Sequence, residues 1–454
     1  MKIPRAIISA TSSGSGKTLI TSALIRILSK KGLKVQPFKT GPDYIDPMYL
    51  SIAASRPCRN LDSWIMDVNT VKRAFLLGCR DADVAVIEGV RGLYEGESPI
   101  DDIGSTAHIA KILSSPIILV IDCRGLNRSV VAHILGFKLM DSELNIAGVI
   151  LNNIRDELHE EKVRRAIQHY TNVPIIGVLY RLQELQIEMR HLGLVIPRGK
   201  EFNSIIERAA EELSKSIDFD KLMEILNNCP EITSEEIITQ SFENKIKIAL
   251  FMDDPFSFYY YENLNLLKEA GAQICFIDSI KDKSMESDIA GAIIGGVYPE
   301  LFADELEKNS SLHQSLKSKI EDEMPVIGEC GGLMYLCKSL RYKDRSYKMV
   351  GVFDGEVYFA NSPAALSYVE LKAIKESPIS KPGLRIRGHE FHYSYIEGLS
   401  SDFAFEVLRG RGINHKLDGA MVYNTIGIYT HLHYLACPEV PINFISKCKR
   451  YIRK

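Results

Sequence analysis

Short apolar runs alternate with helical patterns over the first half of the chain. The runs are β-branched and nearly continuous, as strands covered on both faces must be. Five of them predict buried strands, namely AIISA (6–10), DVAVIEG (83–89), PIILVID (116–122), IAGVILN (146–152) and PIIGVL (174–179). Strand, helix and strand in repetition predict an α/β fold with a mainly parallel sheet and helices on both faces.

The segment after the first run has the spacing of an amphipathic helix. Its apolar residues recur every three or four positions, and they are Leu19, Ile20, Ala23, Leu24, Ile27 and Leu28. The pattern predicts a helix from Lys17 to Lys31 that ends at Gly32.

A polar and acidic stretch, residues 227–245, interrupts the alternation and predicts a linker. After it the strand pattern restarts in four apolar runs, at 246–251, 272–278, 291–296 and 324–330. With 454 residues the chain is about three times a typical domain in length. We therefore expect two α/β domains, residues 1–226 and 246–454.

Composition excludes several classes of function. A net charge of −3 gives no basic excess for a nucleic-acid partner. No stretch approaches the roughly 20 apolar residues of a membrane span, and the start of the chain breaks into a glycine loop too early for a signal peptide. The nine cysteines are scattered without a CxxC pair, which argues against disulfides and a zinc site. We expect a reduced, cytoplasmic protein.

The stretch ATSSGSGKT (10–18) predicts a phosphate-binding loop between the first strand and the helix. Backbone N–H groups from Ser13 to Gly16, including Gly14 and Ser15, would face the phosphates. Lys17 would neutralise the outer phosphates, and the Thr18 hydroxyl would reach Mg²⁺. The loop is a variant, because Thr11 stands where the motif has its first glycine. The alternative is a chance turn of glycine and serine.

Two further segments place charged residues after predicted strands. KTGPDYIDP (39–47) carries Lys39, Asp43 and Asp46, and IEGVRGLYEG (87–96) carries Glu88 and Glu95. The carboxyl ends of parallel strands open into one crevice, so these carboxylates could hold Mg²⁺ against the nucleotide. The alternative is that the two aspartates only shape a turn beside prolines.

The second half contains the pattern of a cysteine nucleophile. IGECGGLMYL (327–336) sets Cys330 between an apolar run and a helical segment, on a turn that would expose the thiol. The N–H of Gly331, and a second donor near Gly296, would meet a developing oxyanion. YTHLHYLACPE (429–439) offers His431 or His433 as the base. The alternative for Cys330 is a structural thiol.

Taken together, these motifs resemble those of the cobyrinate a,c-diamide synthase family, in which a P-loop synthetase is fused to a class I cysteine glutamine amidotransferase. The similar stretches run along nearly the whole chain, and they are GPDYIDP, EGVRGLYEG, DDIGSTA, GECGGLMY and GHEFHYS. The resemblance implies a C–N ligase that uses ATP, Mg²⁺ and L-glutamine. Its substrate would be cobyrinate or, as Arg91 and Glu95 suggest, Ni-sirohydrochlorin on the route to the nickel cofactor of methanogens.

The resemblance also implies roles for particular residues. Cys330 would be the nucleophile, and His431 would raise its nucleophilicity. Lys17, Lys39 and a Mg²⁺ held by Thr18, Asp43 and Glu88 would support phosphoryl transfer to a substrate carboxylate, while Glu95 or Asp46 would bind a second metal or steer the macrocycle. His389 and His392 could line the tetrapyrrole channel, serve as spare polar groups or hold a loop.

The pattern of a glutaminase triad is incomplete in the sequence. No acidic residue stands next to His431, and Glu439, eight residues on, is a weak candidate. We therefore expect a slow glutaminase.

Four other functions compete with the ligase. They are a partition-type P-loop ATPase, a dethiobiotin-type ligase, cobyric acid synthase, and a nucleotide-regulated binding protein with a decayed glutaminase. The first two leave the cysteine motif without purpose, the third is usually nearer 500 residues, and the fourth conflicts with an intact cysteine and histidine. The oligomeric state is open, with a homodimer as one expectation.

Overall fold

The computed structural model describes residues 1–182, 189–190, 193–194, 201–234 and 245–453. The chain divides into two compact units, Met1–Glu236 and Ile237–Lys454. Within the described residues, no helix combines the length and the apolar character that crossing a bilayer requires.

The first unit is built on a seven-stranded parallel sheet. Its strands are β1 (Arg5–Ala10), β2 (Val35–Thr40), β3 (Arg59–Leu61), β4 (Val84–Glu88), β5 (Ile117–Asp122), β6 (Ile146–Ile154) and β7 (Ile175–Tyr180). Their order is β3-β2-β4-β1-β5-β6-β7, and every neighbouring pair is parallel. A separate antiparallel pair joins β8 (Met189–Arg190) to β9 (Gly193–Leu194).

Eight helices accompany this sheet in the described part of the unit. They are α1 (Lys17–Lys30), α2 (Ile45–Ala54), α3 (Val68–Gly78), α4 (Thr106–Leu113), α5 (Val130–Met140), α6 (Glu157–Tyr170), α7 (Glu201–Ser214) and α8 (Phe219–Asn227). Side-chain caps fix the starts of α3, α4, α6 and α8, where Asp67, Ser105, Asp156 and Asp218 each accept a hydrogen bond from the backbone N–H three residues on. The apolar faces of α1, α7 and α8 pack with alternate residues of β1, β4 and β5 in one core.

The parallel sheet and its strands confirm the predicted fold class. Each of the five predicted runs is a strand of this sheet, with ends that differ by one or two residues. The predicted helix at Lys17 is α1, which ends at Lys30, and Gly32 follows with φ 88°.

The second unit contains a ten-stranded mixed sheet. Its strands are β10 (Ile246–Phe251), β11 (Ala272–Ile277), β12 (Ile289–Ile294), β13 (Val326–Glu329), β17 (Ala365–Ala373), β18 (Arg385–His392), β20 (Asp402–Arg409), β21 (Leu417–Val422), β22 (Thr425–Ile428) and β23 (His431–Leu432). The order is β11-β10-β12-β13-β22-β21-β20-β17-β18-β23. Strands from β11 to β22 are parallel, and the other half of the sheet is antiparallel.

A four-stranded sheet and five helices complete the described part of this unit. The small sheet has the order β15-β14-β16-β19, from β14 (Cys337–Tyr342), β15 (Arg345–Lys348), β16 (Phe353–Phe359) and β19 (Ser394–Glu397). The helices are α9 (Tyr261–Glu269), α10 (Ala303–Lys308), α11 (Ser310–Glu321), α12 (Gly331–Leu336) and α13 (Glu439–Tyr451), with a 3₁₀ turn at Pro299–Phe302. The predicted strand 291–296 is β12, which ends at Ile294 and so leaves Gly295 and Gly296 in a loop.

Part of the predicted linker packs on the first unit. Cys229 and Ile232 are buried, and the backbone oxygen of Ile232 accepts a hydrogen bond from the N-terminal amine of Met1. Residues 235–244 of the predicted linker lie outside the described residues. The domain boundaries drawn from the sequence therefore stay a prediction.

Arg5 connects this segment to the sheet. The side chain is completely buried at the start of β1, and its guanidinium donates to the backbone oxygens of Ile3, Leu113 and Pro230 at 2.6–3.0 Å. One guanidinium thus satisfies carbonyl groups from three separate parts of the first unit.

We expect Arg5→Met to lower the free energy of unfolding of the first unit by about 3 kcal/mol, because buried carbonyl groups would lose their donor. Urea unfolding followed by the fluorescence of Trp64, the single tryptophan of the chain, measures this change. The control is Arg208→Met on α7, where the side chain is half exposed and the loss should stay below about 0.5 kcal/mol. Equal losses in both variants would contradict the structural role of Arg5.

Candidate functional site

The phosphate-binding loop joins β1 to α1 and depends on Gly16. Gly16 has φ 86°, a left-handed conformation that favours glycine. A Cβ at this position would also lie 2.3 Å from the Nδ2 atom of Asn152. That Nδ2 donates to the backbone oxygen of Ser15 at 2.9 Å, so Asn152 at the end of β6 supports the loop from below.

Lys17 lies against the same loop as a buried cation. Its Nζ is 3.4 Å from the backbone oxygen of Ser12, which also accepts from the Ser15 hydroxyl at 2.9 Å. Burial and the nearby charge of Lys39 lower the pKa of Lys17 to about 8. An anion bound in the loop would stabilise the charged ammonium group of Lys17. A phosphate-binding site requires such a cation close to the loop.

Lys39 binds two carboxylates, Asp46 in the first turn of α2 and Glu88 at the end of β4. Its Nζ lies 2.6 Å from Asp46 Oδ2 and 2.8 Å from Glu88 Oε1, and the side chain is buried. The parallel register of β2 and β4 sets Lys39 directly beside Glu88. Although burial lowers the pKa of Lys39, the two carboxylates raise it above its ordinary value, so the lysine stays charged.

The two carboxylate oxygens of Glu88 differ in their hydrogen bonding. Oε1 accepts from the Thr18 hydroxyl at 2.8 Å as well as from Lys39, whereas Oε2 is buried with no hydrogen-bond partner among the described residues. Burial raises the pKa of Glu88 to about 7, against the opposing charge of Lys39. A vacant carboxylate oxygen beside a threonine hydroxyl offers the oxygen ligands that Mg²⁺ prefers.

The remaining carboxylates near the loop differ in their surroundings. Asp43 Oδ1 accepts from the backbone N–H groups of Ile45 and Asp46 and so shapes the start of α2, as the turn alternative predicts. Burial and the charge of Asp46 raise the pKa of Asp43 to about 7. Asp46 is half-buried, and although burial raises its pKa, the contact with Lys39 holds it below the ordinary value. Glu95 is exposed.

In the part of the chain that the structure describes, no cluster of three or more His, Cys, Asp or Glu side chains is placed to hold a metal ion. A magnesium site here would combine Thr18 and one or two carboxylates with the phosphates of the nucleotide, which is the usual arrangement for this ion.

The second unit places Cys330 on a strained turn between β13 and α12. Cys330 has φ 48° and ψ −97°, and its N–H donates to the backbone oxygen of Ile428 at 2.7 Å. The turn lies so close to β12 that a Cβ on Gly332 would be 2.1 Å from the backbone oxygen of Ile294. The strained strand-to-helix turn agrees with the predicted geometry, but the expected exposure of the thiol was wrong, because Cys330 is buried.

The structure brings Cys330, His431 and Gly296 close together. A Cβ built on Gly296 would lie 2.6 Å from His431 Cε1 and 3.5 Å from Cys330 Cβ. A Cβ on Gly331 would be 3.2 Å from the backbone nitrogen of Val297 and 3.3 Å from Gly296 Cα. The two glycines predicted as oxyanion donors are thus adjacent, and their donor role stays a prediction.

The thiol of Cys330 is buried and neutral in the resting protein. Only 4% of the residue is exposed, and burial, together with the nearby Glu300, raises the pKa of Cys330 well above its usual range. Such a thiol needs a base beside it before it can act as a nucleophile.

His431 lies in a cluster of aromatic rings. Its ring stacks on His389 with centroids 5.0 Å apart and meets Phe258 edge-on at 4.8 Å. His389 Nδ1 is 3.2 Å from the Tyr260 hydroxyl, and burial lowers the pKa of His389. His389 therefore lies beside His431, and the three roles left open for His389 stay predictions. His392, by contrast, stacks on Tyr429.

The structure also distinguishes His431 from its neighbours in the sequence. His433 Nε2 lies 3.7 Å from Glu262 Oε2, so this imidazole faces another carboxylate. Glu439, the weak candidate for orienting His431, was wrong, because its carboxylate accepts from Cys437 Sγ at 3.5 Å. The acid nearest to His431 is Glu329, with Oε2 3.8 Å from Nδ1. The basis for expecting a slow glutaminase is thereby weakened.

Three site residues were missed by reasoning from the sequence. Asn152 could have been found by the reasoning applied to the carboxylates, because it is a polar residue near the carboxyl end of a buried strand. Glu329 stands directly before Cys330. Buried Asp418 accepts from the backbone N–H groups of Tyr429 and Thr430 and so fixes the turn that leads to His431. No local pattern identifies Asp418, because its partners are eleven and twelve residues away.

Comparison with known proteins supports both units. Residues 6–208 match a CobQ/CobB/MinD/ParA nucleotide binding domain, and residues 247–438 match a CobB/CobQ-like glutamine amidotransferase domain. A cobyrinate a,c-diamide synthase from Methanobrevibacter smithii is 42% identical over 443 residues, which is 96% of this chain and 97% of the relative. The chain belongs to the cobyrinate a,c-diamide synthase family.

More distant relatives extend the match. The cobyrinate a,c-diamide synthase of Archaeoglobus fulgidus is 39% identical and that of Dehalococcoides mccartyi 36% identical, each over 99% of this chain and at least 98% of the relative. Membership of the cobyrinate a,c-diamide synthase family confirms the resemblance seen in the motifs, and it covers the P-loop and the cysteine motif alike.

We expect Gly16→Ala to weaken ATP binding about 100-fold, since the new Cβ combines left-handed backbone strain with the contact to Asn152. Titration calorimetry with ATP and Mg²⁺ measures the affinity. Gly14→Ala is the matched control, because Gly14 has φ 76° but no atom within 4 Å of its Cβ position, and its loss should be about tenfold. Equal affinities in both variants would argue against a specific role of the Asn152 contact.

Proposed function

We propose that this protein catalyses the ATP- and glutamine-dependent amidation of the a and c acetate carboxylates of cobyrinate. The observation that carries the proposal is the presence in one chain of two sites, a P-loop beside Thr18 and Glu88, and Cys330 on a strained turn beside His431. Relatives named cobyrinate a,c-diamide synthase align over nearly the whole length of both units.

The first unit would make the substrate carboxylate reactive. A carboxylate is a poor electrophile, so transfer of the γ-phosphoryl group of ATP to one of its oxygens gives an acyl phosphate with a good leaving group. The loop N–H groups and Lys17 hold the phosphates, and buried Lys39 keeps Glu88 and Asp46 in place. Mg²⁺, bound through Thr18, Glu88 and Asp43, would neutralise charge on the nucleotide.

The second unit would release ammonia from glutamine. His431 accepts the proton of the Cys330 thiol, the sulfur attacks the side-chain amide carbon, and the N–H groups near Gly296 and Gly331 stabilise the oxyanion. The amide nitrogen leaves as ammonia after it takes the proton from His431, and water then hydrolyses the thioester to glutamate. Ammonia displaces phosphate from the acyl phosphate, and the cycle runs once for each side chain.

Ni-sirohydrochlorin is the second candidate substrate, because it carries corresponding acetate side chains and because of Arg91 and Glu95 in the EGVRGLYEG motif. Arg91 is exposed in a left-handed conformation with φ 50°, and Glu95 is exposed as well. The exposed cation of Arg91, on a loop that follows β4, suits contact with a large anionic substrate. The expected homodimer stays a prediction.

The substrate assignment has a direct test. The protein is incubated with ATP, Mg²⁺ and glutamine and with cobyrinate or Ni-sirohydrochlorin in separate reactions, and the products are weighed by mass spectrometry. Each amidation replaces a hydroxyl by an amino group, so complete reaction lowers the mass by about two units. We expect this change with cobyrinate. A change with the nickel compound alone would establish the second candidate, and no change with either would refute both.

We expect Cys330→Ser to lower glutamine-dependent amidation at least about 1,000-fold, because a serine hydroxyl is a much weaker nucleophile here. Amidation with ammonium chloride should stay within about twofold of the wild type, since it bypasses the thiol. Cys275→Ser, at a half-buried thiol of β11, is the control and should keep both activities. Loss of ammonium-dependent activity in Cys330→Ser would indicate a structural thiol.

A further inference from the structure

The Nδ1 atom of His431 is a buried polar atom beside the thiol site. Nδ1 is buried and makes no hydrogen bond within the described residues. A buried polar atom left unpaired costs about 1–3 kcal/mol, so it calls for an explanation. The nearest charged atom is Glu329 Oε2, at 3.8 Å.

Glu329 is itself a buried carboxylate with little else to bind. The residue is 8% exposed, and its one charged contact among the described residues is the one with His431. It lines a small cavity together with Phe258, Tyr260 and Tyr434, and the cavity lining contains no lysine or arginine. The Tyr259 hydroxyl in the same cavity is already engaged, because it donates to the oxygen of Phe251 and accepts from the N–H of Gly295.

Two adjacent parallel strands lead to Glu329, Cys330 and His431, since Cys330 directly follows β13 and His431 is the third residue after β22. Glu329 is the last residue of β13 and pairs in register with Ile428, the last residue of β22. Side chains of consecutive strand residues normally point to opposite faces. The turn at Cys330, with φ 48°, interrupts this alternation, so the carboxylate and the thiol can both approach His431.

We propose that Glu329 is a positioning residue for His431 in glutamine hydrolysis, an inference that rests on the function proposed above. The carboxylate accepts a hydrogen bond from Nδ1–H, and this selects the tautomer in which Nε2 is free to take the proton of Cys330. When the ring becomes doubly protonated, the negative charge of Glu329 stabilises it.

The hydrogen bond needs a small movement. The present separation exceeds a normal N–H···O distance by about 0.9 Å, and bonds of this kind in an empty active site commonly shorten when the substrate binds. The backbone that leads to His431 is held in place, since Asp418 accepts hydrogen bonds from the N–H groups of Tyr429 and Thr430. We therefore expect the Glu329 side chain to close the gap.

The test is the kinetics of Glu329→Gln, which keeps the shape of the side chain and removes its charge. We expect kcat for glutamine hydrolysis to fall about 100-fold, with the KM for glutamine within about twofold and ammonium-dependent amidation unchanged. Glu329→Asp retains the charge on a shorter side chain and should recover about tenfold of the loss. A general structural disturbance would instead lower the ammonium-dependent activity as well.

The matched control is Glu262→Gln, because Glu262 is also buried and lies 3.7 Å from a histidine, His433. We expect its kcat to stay within about threefold of the wild type. The proposal is overturned if Glu329→Gln keeps the wild-type kcat, or if the Gln and Asp variants lose equally. Failure of the proposed function gives a different result, namely glutamine use that survives Cys330→Ser.

Discussion

Both sites depend on the register of adjacent parallel strands. In the first unit β1, β2 and β4 end together, so that the phosphate loop, Lys39 and Glu88 leave the sheet at one edge. In the second unit β12, β13 and β22 end together and deliver Gly296, Cys330 and His431 in the same way. Because each of these strands lies between two others in its sheet, the side chains at their ends need little further ordering.

Burial prepares both sites for chemistry. Taking ionisable groups out of water raises the pKa of Glu88 to about 7 and lowers that of Lys17 to about 8, and it keeps the thiol of Cys330 neutral. The cost of these burials is partly offset by specific contacts, such as those of Lys39 with its two carboxylates. A bound substrate or metal ion then supplies the charge that each site lacks.

Close approach of other groups to a glycine is the third feature that the two sites share. The absence of a side chain at Gly16 lets the amide of Asn152 approach the phosphate loop, and its absence at Gly332 lets the backbone of Ile294 approach the turn at Cys330. Any side chain at either position would separate the elements that hold the site. The glycines of the two motifs therefore act as packing positions as well as turn positions.

The sequence by itself determined the parallel strands, helix α1, the phosphate loop and Cys330, because these follow from local periodicity and from motifs whose residues are close along the chain. It left His431 and His433 as alternatives until the family resemblance was added. Only the tertiary structure decided that Glu329 faces His431, that Asn152 supports the loop, that Asp418 fixes the turn and that half of the second sheet is antiparallel. Local sequence patterns do not reveal these contacts, because burial and strand pairing bring together residues that are far apart in the sequence.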